Sequence, residues 1–139
     1  MKHEPLYFVV DGPAVGCQRV RFAGHAFTPK KTRDYQKLIK TLAMAALSGK
    51  PVFPGAVCVK IEIQMEPVKS MPKKNRLLAL LGKIFPTKKP DLDNVIKSVF
   101  DGMNKTVFED DCQVCELQAV KRYGPGSYVA VTVIDLEGG

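Results

Sequence analysis

The chain reads as an α+β domain: a small mixed or antiparallel sheet of about four strands, two main helices and a C-terminal β-hairpin. Three observations predict this. Residues 57 to 66 alternate apolar and polar with a period of two. Two stretches, from Thr32 to Ala46 and from Asp93 to Asn104, repeat apolar residues at helical spacing. Turn signals at Gly12-Pro13 and Tyr123-Gly124-Pro125-Gly126-Ser127 bound short β-branched runs. With 139 residues, a single domain over residues 1–139 is expected, because one core typically serves about 100 to 200 residues.

In chain order, residues 5 to 11 (PLYFVVD) form the first strand, closed by Gly12-Pro13. A loop follows that carries Arg19, Arg21 and His25 with Phe22 and Phe27 between them. Core packing is the expected role of both phenylalanines, with wedging against unstacked bases as the alternative, and His25 reads as a loop histidine. Thr32 then caps a helix whose apolar stripe is Tyr35, Leu38, Ile39, Leu42 and Ala46, with Arg33, Lys37 and Lys40 off the stripe. The 57–66 strand puts Val57, Val59, Ile61, Ile63 and Met65 on one face and Cys58, Lys60, Glu62, Gln64 and Glu66 on the other. Residues 67 to 90 are a long connection with a short helix at LLALLGK, and loops beyond about 12 to 15 residues tend to be lids or binding elements. In the second main helix Val95, Ile96, Val99, Phe100 and Met103 oppose Asn94, Lys97, Asp101 and Asn104. Residues 113 to 122 and 128 to 136 are the paired arms of the terminal hairpin.

Composition narrows the function classes. A net charge of +7 and a pI near 9.3 favour a polyanionic partner, nucleic acid ahead of acidic metabolites. No run approaches the roughly 18 apolar residues needed to span a bilayer. The first residues, MKHEPLYFVVDGP, lack the pattern of a signal peptide, so a cytoplasmic protein without a membrane partner is expected. Four cysteines are too few and too scattered for a disulfide scaffold. Cys112 and Cys115 form a C-x-x-C with no second pair or nearby histidine, which reads as packing thiols in preference to zinc.

The charges are sorted along the chain. Residues 19 to 89 hold sixteen Lys and Arg against three acids, whereas residues 91 to 116 hold seven acids against two lysines. Crowded carboxylates raise one another's pKa unless a cation sits among them, and a divalent metal is the usual occupant. Asp91 and Asp93 share a side only if the chain is extended there, so the helix starts near Asp93, as Pro90 also requires. Lys97 lies one helical turn after Asp93, and Asp111 at the start of the next strand can return beside Asp91. Such a set suits phosphodiester hydrolysis of DNA or RNA. Each acid has a plainer reading as a cap, a loop acid or a turn, and Lys97 as an i, i+4 partner of Asp101. A non-catalytic basic DNA-binding module with a structural cation is therefore the rival from another class.

The segment PDLDNVIKSVFDGMNKTVFEDDCQV, with its D-x-D-N-x-x-K helix start and later D-D-x-Q, resembles the core signature of RusA-type Holliday junction resolvases. A coarser similarity covers most of the chain, including T-P-K-K-T-x-x-Y and M-P-K-K. The resemblance implies a RusA-like fold and a bacterial or phage-encoded, homodimeric, Mg²⁺-dependent endonuclease, with Mn²⁺ as a substitute metal. Its expected activity is cutting four-way DNA junctions by paired symmetrical nicks. It casts Asp91, Asp93 and Asp111 as catalytic and metal-binding acids and Lys97 as the essential lysine. Asp110 is the alternative third ligand, and the D-D-x-Q register favours Asp111. A two-fold dimer also has a physical reason, since one site cuts one strand and resolution needs two cuts. Candidate phosphate contacts are Arg19, Arg21, Lys30, Lys31, Lys73, Lys74, Arg76, Lys88 and Lys89. A nuclease for other branched or single-stranded DNA is the nearer alternative.

Overall fold

The structure is a computed structural model that describes residues 2–18 and 21–138. Strand β1 (Leu6–Asp11) is followed by a small ribbon of β2 (Arg21–Phe22) and β3 (Ala26–Phe27), then helix α1 (Lys30–Leu47). Strand β4 (Val57–Met65) leads through α2 (Lys73–Leu80) to α3 (Leu92–Met103), and β5 (Val114–Tyr123) and β6 (Tyr128–Asp135) complete the chain. Four strands form a mixed sheet in the order β1-β6-β4-β5. The α+β class and the mixed sheet agree with the sequence reading.

The terminal hairpin does not form. β6 lies between β1 and β4, antiparallel to both, while β5 pairs parallel with β4 on its far side. The last two strands are thus separated by β4, roughly 9 to 10 Å apart at the usual interstrand spacing. Residues 124–127 bridge that gap over the end of β4 and are held there by it. The Gly124 N–H donates to the Met65 carbonyl at 3.0 Å, and the Gln64 amide donates to the Pro125 and Gly126 carbonyls, both at 3.1 Å. Glu66 N–H donates to Ser127 Oγ at 3.1 Å. The turn residues were legible, but they span a strand instead of closing a ribbon. The β4-to-β5 connection is the long crossover that parallel pairing requires, and α2 and α3 fall within it.

Both long helices pack on one face of the sheet. β4 contributes Val57, Val59, Ile61 and Ile63 to the core, β6 contributes Val129, Val131 and Val133, and Leu6, Phe8 and Val10 come from β1. Cys58 is buried as well, although it sits on the face assigned to polar residues. The buried stripe of α1 is Thr32, Tyr35, Ile39, Ala43 and Leu47. It is rotated from the expected one, so Leu38 and Ala46 face solvent. Helix α1 also begins earlier than expected, with Pro29 at the N-cap in extended conformation and Thr32 already within the first turn. Thr32 does not cap the helix; its buried hydroxyl accepts the Gln18 N–H at 3.1 Å instead and ties the preceding loop down. Tyr35 is core as expected, and burial pushes its phenol up to about 12.

Helices α1 and α3 meet at Gly102, where a Cβ would stand 2.6 Å from Ile39 Cγ2 and 3.0 Å from the Gln36 carbonyl. Only glycine permits this approach. The short helix α2 starts at Lys73 behind Pro72, earlier than LLALLGK, so Lys73, Lys74 and Arg76 ride on it. No helix among the described residues is long and apolar enough to cross a membrane.

Candidate active site

Helix α3 supplies the floor of the site. Asp91 is its N-cap residue, with extended backbone, and Asp93 lies in its first turn, so the split of the D-x-D between an extended residue and a helical one is as the sequence predicts. Asn94, Lys97, Asp101 and Asn104 recur at three- and four-residue spacing along one face. Lys97 Nζ donates to Asp101 Oδ2 at 3.3 Å, the plain i, i+4 pair. Asp101 Oδ2 also accepts from Gln36 Nε2 of α1 at 3.2 Å, a contact made possible by the close crossing at Gly102. The hydrogen bond to Asp101, and then its charge, hold the Lys97 ammonium above its ordinary pKa, with a further contribution from Asp111.

Asp111 opens a 3₁₀ turn, Asp111–Gln113, that leads into β5. Its N–H donates to Asn104 Oδ1 at 3.1 Å, which anchors the turn to the end of α3. The D-D-x-Q motif has a local cause. Asp110 Oδ1 accepts the Cys112 N–H at 3.1 Å, and Gln113 Oε1 accepts the N–H groups of Glu109 at 2.9 Å and Asp110 at 3.2 Å. The Gln113 amide in turn donates to the carbonyls of Phe53 and Gly55 at 3.0 and 2.9 Å. Asp110 thereby caps the turn and also shares a hydrogen bond with Asp111, which in addition feels the charges of Lys97 and Asp101. Burial, followed by the hydrogen bond shared with Asp110 and then the like charges of Asp110 and Asp101, raises the Asp111 carboxyl above the usual value.

Asp91 stands at an open cleft of about 810 Å³ lined also by Asn94, Gln18, Lys31 and Lys89. Its carboxylate accepts from Lys89 Nζ at 2.9 Å. The wall facing it is the loop 14–18, packed tightly enough that a Cβ on Gly16 would lie 3.0 Å from Asn94 Cβ. Cys17 N–H donates to the Asn94 carbonyl at 2.9 Å. From the other side Lys121 of β5 donates to the carbonyls of Lys88 and Pro90 at 2.8 and 3.0 Å and pins the segment that delivers Asp91.

Lys97, Asp101 and Asp111 are therefore brought together, while Asp91 sits at the cleft mouth and Asp93 is exposed. Among the described residues no three Asp, Glu, His or Cys side chains form a group able to hold a metal ion. The donors themselves are all oxygen and suit a hard cation. Mg²⁺ typically binds through one or two carboxylates together with water and substrate phosphate, so it does not require a closed protein cage. The raised carboxyl of Asp111 marks the crowding that such a charge relieves.

The basic residues divide into groups. Lys31 and Lys89 line the cleft. Lys73, Lys74, Arg76 and Lys88 are exposed. Lys30 is tied to Asp34 at 2.8 Å, so it is less available than expected. Arg21 lies in β2, paired with Phe27, and Arg19 falls outside the described residues. From Arg21 to Phe27 the loop is a short ribbon, not irregular chain, and Phe22 is 78% exposed, which overturns the expectation of core packing for it. Phe27 is tilted against His25 with ring centroids 6.1 Å apart and is also at the surface. The residues that sequence reasoning missed are Gln36, Asn104, Gln113 and Lys121 as positioning groups, and Asp101 as more than a partner for Lys97. The shared face of Asp101 and Asn104 with Lys97 was the available signal; Gln36 and Lys121 act from distant segments and gave none.

The sequence profile of the family described as "Endodeoxyribonuclease RusA" matches residues 11–134. The chain is also 30% identical over 113 residues to "Uncharacterized protein YqaN" of Bacillus subtilis (strain 168), covering 78% of each protein.

Proposed function

This chain belongs to the RusA endodeoxyribonuclease family, and from that premise we propose that it resolves four-way DNA junctions by paired, symmetry-related cuts that depend on Mg²⁺, with Mn²⁺ able to substitute. The observation that carries the reading is the Lys97 ammonium paired with Asp101 and within the field of Asp111, on the same helix whose first residues, Asp91 and Asn94, line a cleft with Lys31 and Lys89. Asp91, Asp93 and Asp111 would hold the cation, with Asp91 exchanging Lys89 for it. When bound, a divalent cation supplies charge neutralisation at the scissile phosphate and lowers the pKa of water.

The chain's own residues do the rest. Lys31 and Lys89 hold phosphate oxygens at the cleft, and the exposed lysines of α2 extend the cationic track along the DNA backbone with little reading of bases. Lys97 presents its ammonium to the scissile phosphate and offsets the charge that builds there. Asp101 and Gln36 position Lys97, while Asn104 and Gln113 position Asp111. One such site cuts one strand, and a homodimer supplies the second cut.

The test is cleavage of a synthetic four-way junction with Mg²⁺ and with EDTA, alongside flaps, forks and single strands at fixed salt. Junction cutting that requires the cation supports the proposal, and preference for another substrate moves the activity elsewhere within the family's nuclease chemistry. A second reading, a non-catalytic DNA-binding module, is favoured by one specific observation: Asp110 serves as a cap and Asp91 as the partner of Lys89. Binding without any cation-dependent cleavage is its outcome.

A further inference from the structure

Between the cleft wall and helix α1 the chain makes an excursion away from the fold. It leaves the cleft at Gln18 and returns to it at Lys31, and the Gln18 N–H on Thr32 Oγ1, at 3.1 Å, closes the excursion at its base. Beyond that base β2 and β3 pair Arg21 with Phe27 and Phe22 with Ala26, around a tip of Ala23, Gly24 and His25. Gly24 has φ +79°, the left-handed conformation that the tip requires. Among the described residues no backbone hydrogen bond ties 21–28 to the rest of the fold, and none of these residues belongs to the buried core.

What the ribbon displays is the ring of Phe22. It is the most exposed large apolar side chain among the described residues, and the residue across from it, Ala26, is too small to cover it. Phe27 lies on the other face of the ribbon and is engaged by His25, with ring centroids 6.1 Å apart, so Phe22 is the ring left free to stack. The charge around it identifies the partner. Residues 12–33 carry five Lys and Arg and no Asp or Glu, and Lys31 and Lys89 line the cleft from which the ribbon springs. A partner that is both strongly anionic and rich in flat π faces is a nucleic acid with bases out of the stack. A continuous duplex has the same anionic backbone but keeps those faces covered. Phe22 lies four residues beyond Gln18, so it reaches no farther than about 14 Å from the cleft wall, or roughly four base steps.

We propose that Phe22 stacks on a base unstacked at the branch point, and that this contact gives the protein a preference for interrupted over continuous duplex. The proposal rests on the reading of the cleft as a DNA site and names the residue that senses the branch. Phosphate contacts from the cleft lysines are blind to branching, because every duplex presents phosphates. A stacking contact forms only where base stacking is broken.

A synthetic four-way junction with 2-aminopurine at the positions flanking the branch, bound by the full chain in EDTA, tests this. Wild-type binding is expected to change the emission at one of these positions. Phe22→Ala is expected to abolish that change and to weaken junction binding about tenfold, with affinity for a continuous duplex of equal length and salt unaltered. Phe22→Trp is expected to keep both properties, and Phe22→Leu, apolar but without a π face, to lose them. Emission that wild-type binding leaves flat assigns the ribbon to a protein partner and overturns the proposal. An equal loss of affinity on junction and duplex, or a Phe22→Leu variant that matches the wild type, overturns it as well. Cleavage with Mg²⁺ on the same samples separates the two ideas. Phe22-dependent emission without cutting sinks the nuclease reading alone, and cutting with no emission change sinks the role of the ribbon alone.

Discussion

The two ends of α3 are built on different terms. Along its middle, Lys97, Asp101 and Asn104 are each fixed by the protein: Lys97 by Asp101, Asp101 by Gln36, and Asn104 by the backbone of Asp111. At its start the Asp91 carboxylate pairs, among the described residues, only with the exposed Lys89, and Asp93 is exposed. The chain thus pre-organises the lysine and one acid, and leaves the D-x-D to be organised by what binds there. That asymmetry suits a site completed by a cation and a phosphate, since a fully satisfied set of carboxylates has no valence left for either.

The sharpest way to break this contrast is at the acids. Asp91→Asn, Asp93→Asn and Asp111→Asn are each expected to lower cleavage of a labelled junction by at least about a hundredfold, with junction binding in EDTA retained. Wild-type cutting by the Asp91 and Asp93 variants would confine the chemistry to the pre-organised half. Gly102→Ala attacks the other half through packing: its Cβ collides with Ile39 and the Gln36 carbonyl, and overpacking of this kind costs about 1–3 kcal/mol, to be read in thermal or urea denaturation.

Gln36→Ala is milder. It leaves Asp101 without its α1 donor, and about a tenfold fall in the cleavage rate with unchanged junction affinity is expected for a positioning residue of this kind. A loss of affinity instead would make Gln36 a DNA contact.

The pH dependence of stability sharpens the same comparison. A carboxyl whose folded pKa is raised binds more protons in the native state than unfolded, so the Asp111 contribution to stability falls as pH rises from the ordinary aspartate range through its folded pKa, while Asp110, held down by the Cys112 N–H, contributes the opposite trend at lower pH. Asp111→Asn is accordingly expected to melt at a modestly higher temperature than wild type at neutral pH in EDTA, and to lose the stabilisation that Mg²⁺ gives the wild type. Equal melting temperatures, with and without Mg²⁺, would contradict the crowding at that residue. The smallest effect concerns the rim. Lys31→Ala is expected to reduce the salt dependence of junction binding by about one phosphate contact, while Lys30→Ala, already paired with Asp34, changes it less.

What the sequence disclosed follows the range of the forces involved. The alternation of β4 and the apolar stripe of α3 are local and periodic, and both were legible. The α1 stripe was misplaced by part of a turn, because Leu38 and Ala46 fit the spacing as well as Ala43 and Leu47 do, and only the position of Gly102 decides between them. The extended-to-helical change at Asp91 and Asp93 was readable from Pro90. The order of the last strands was not, because Tyr123–Ser127 has the composition of a hairpin turn and only pairing with β4 shows that it is a bridge. Of the site, the charged residues were visible as a motif; the neutral residues that aim them, Gln36 and Gln113, became visible only in three dimensions.

The position of β6 has a consequence for how the molecule is made. It joins β1 to β4, yet it follows both of them, and β5 as well, in the chain. Until residue 135 has emerged from the ribosome, β1 has no neighbour in the main sheet, so a nascent chain carries an open, apolar β1 while β4 and β5 are being made.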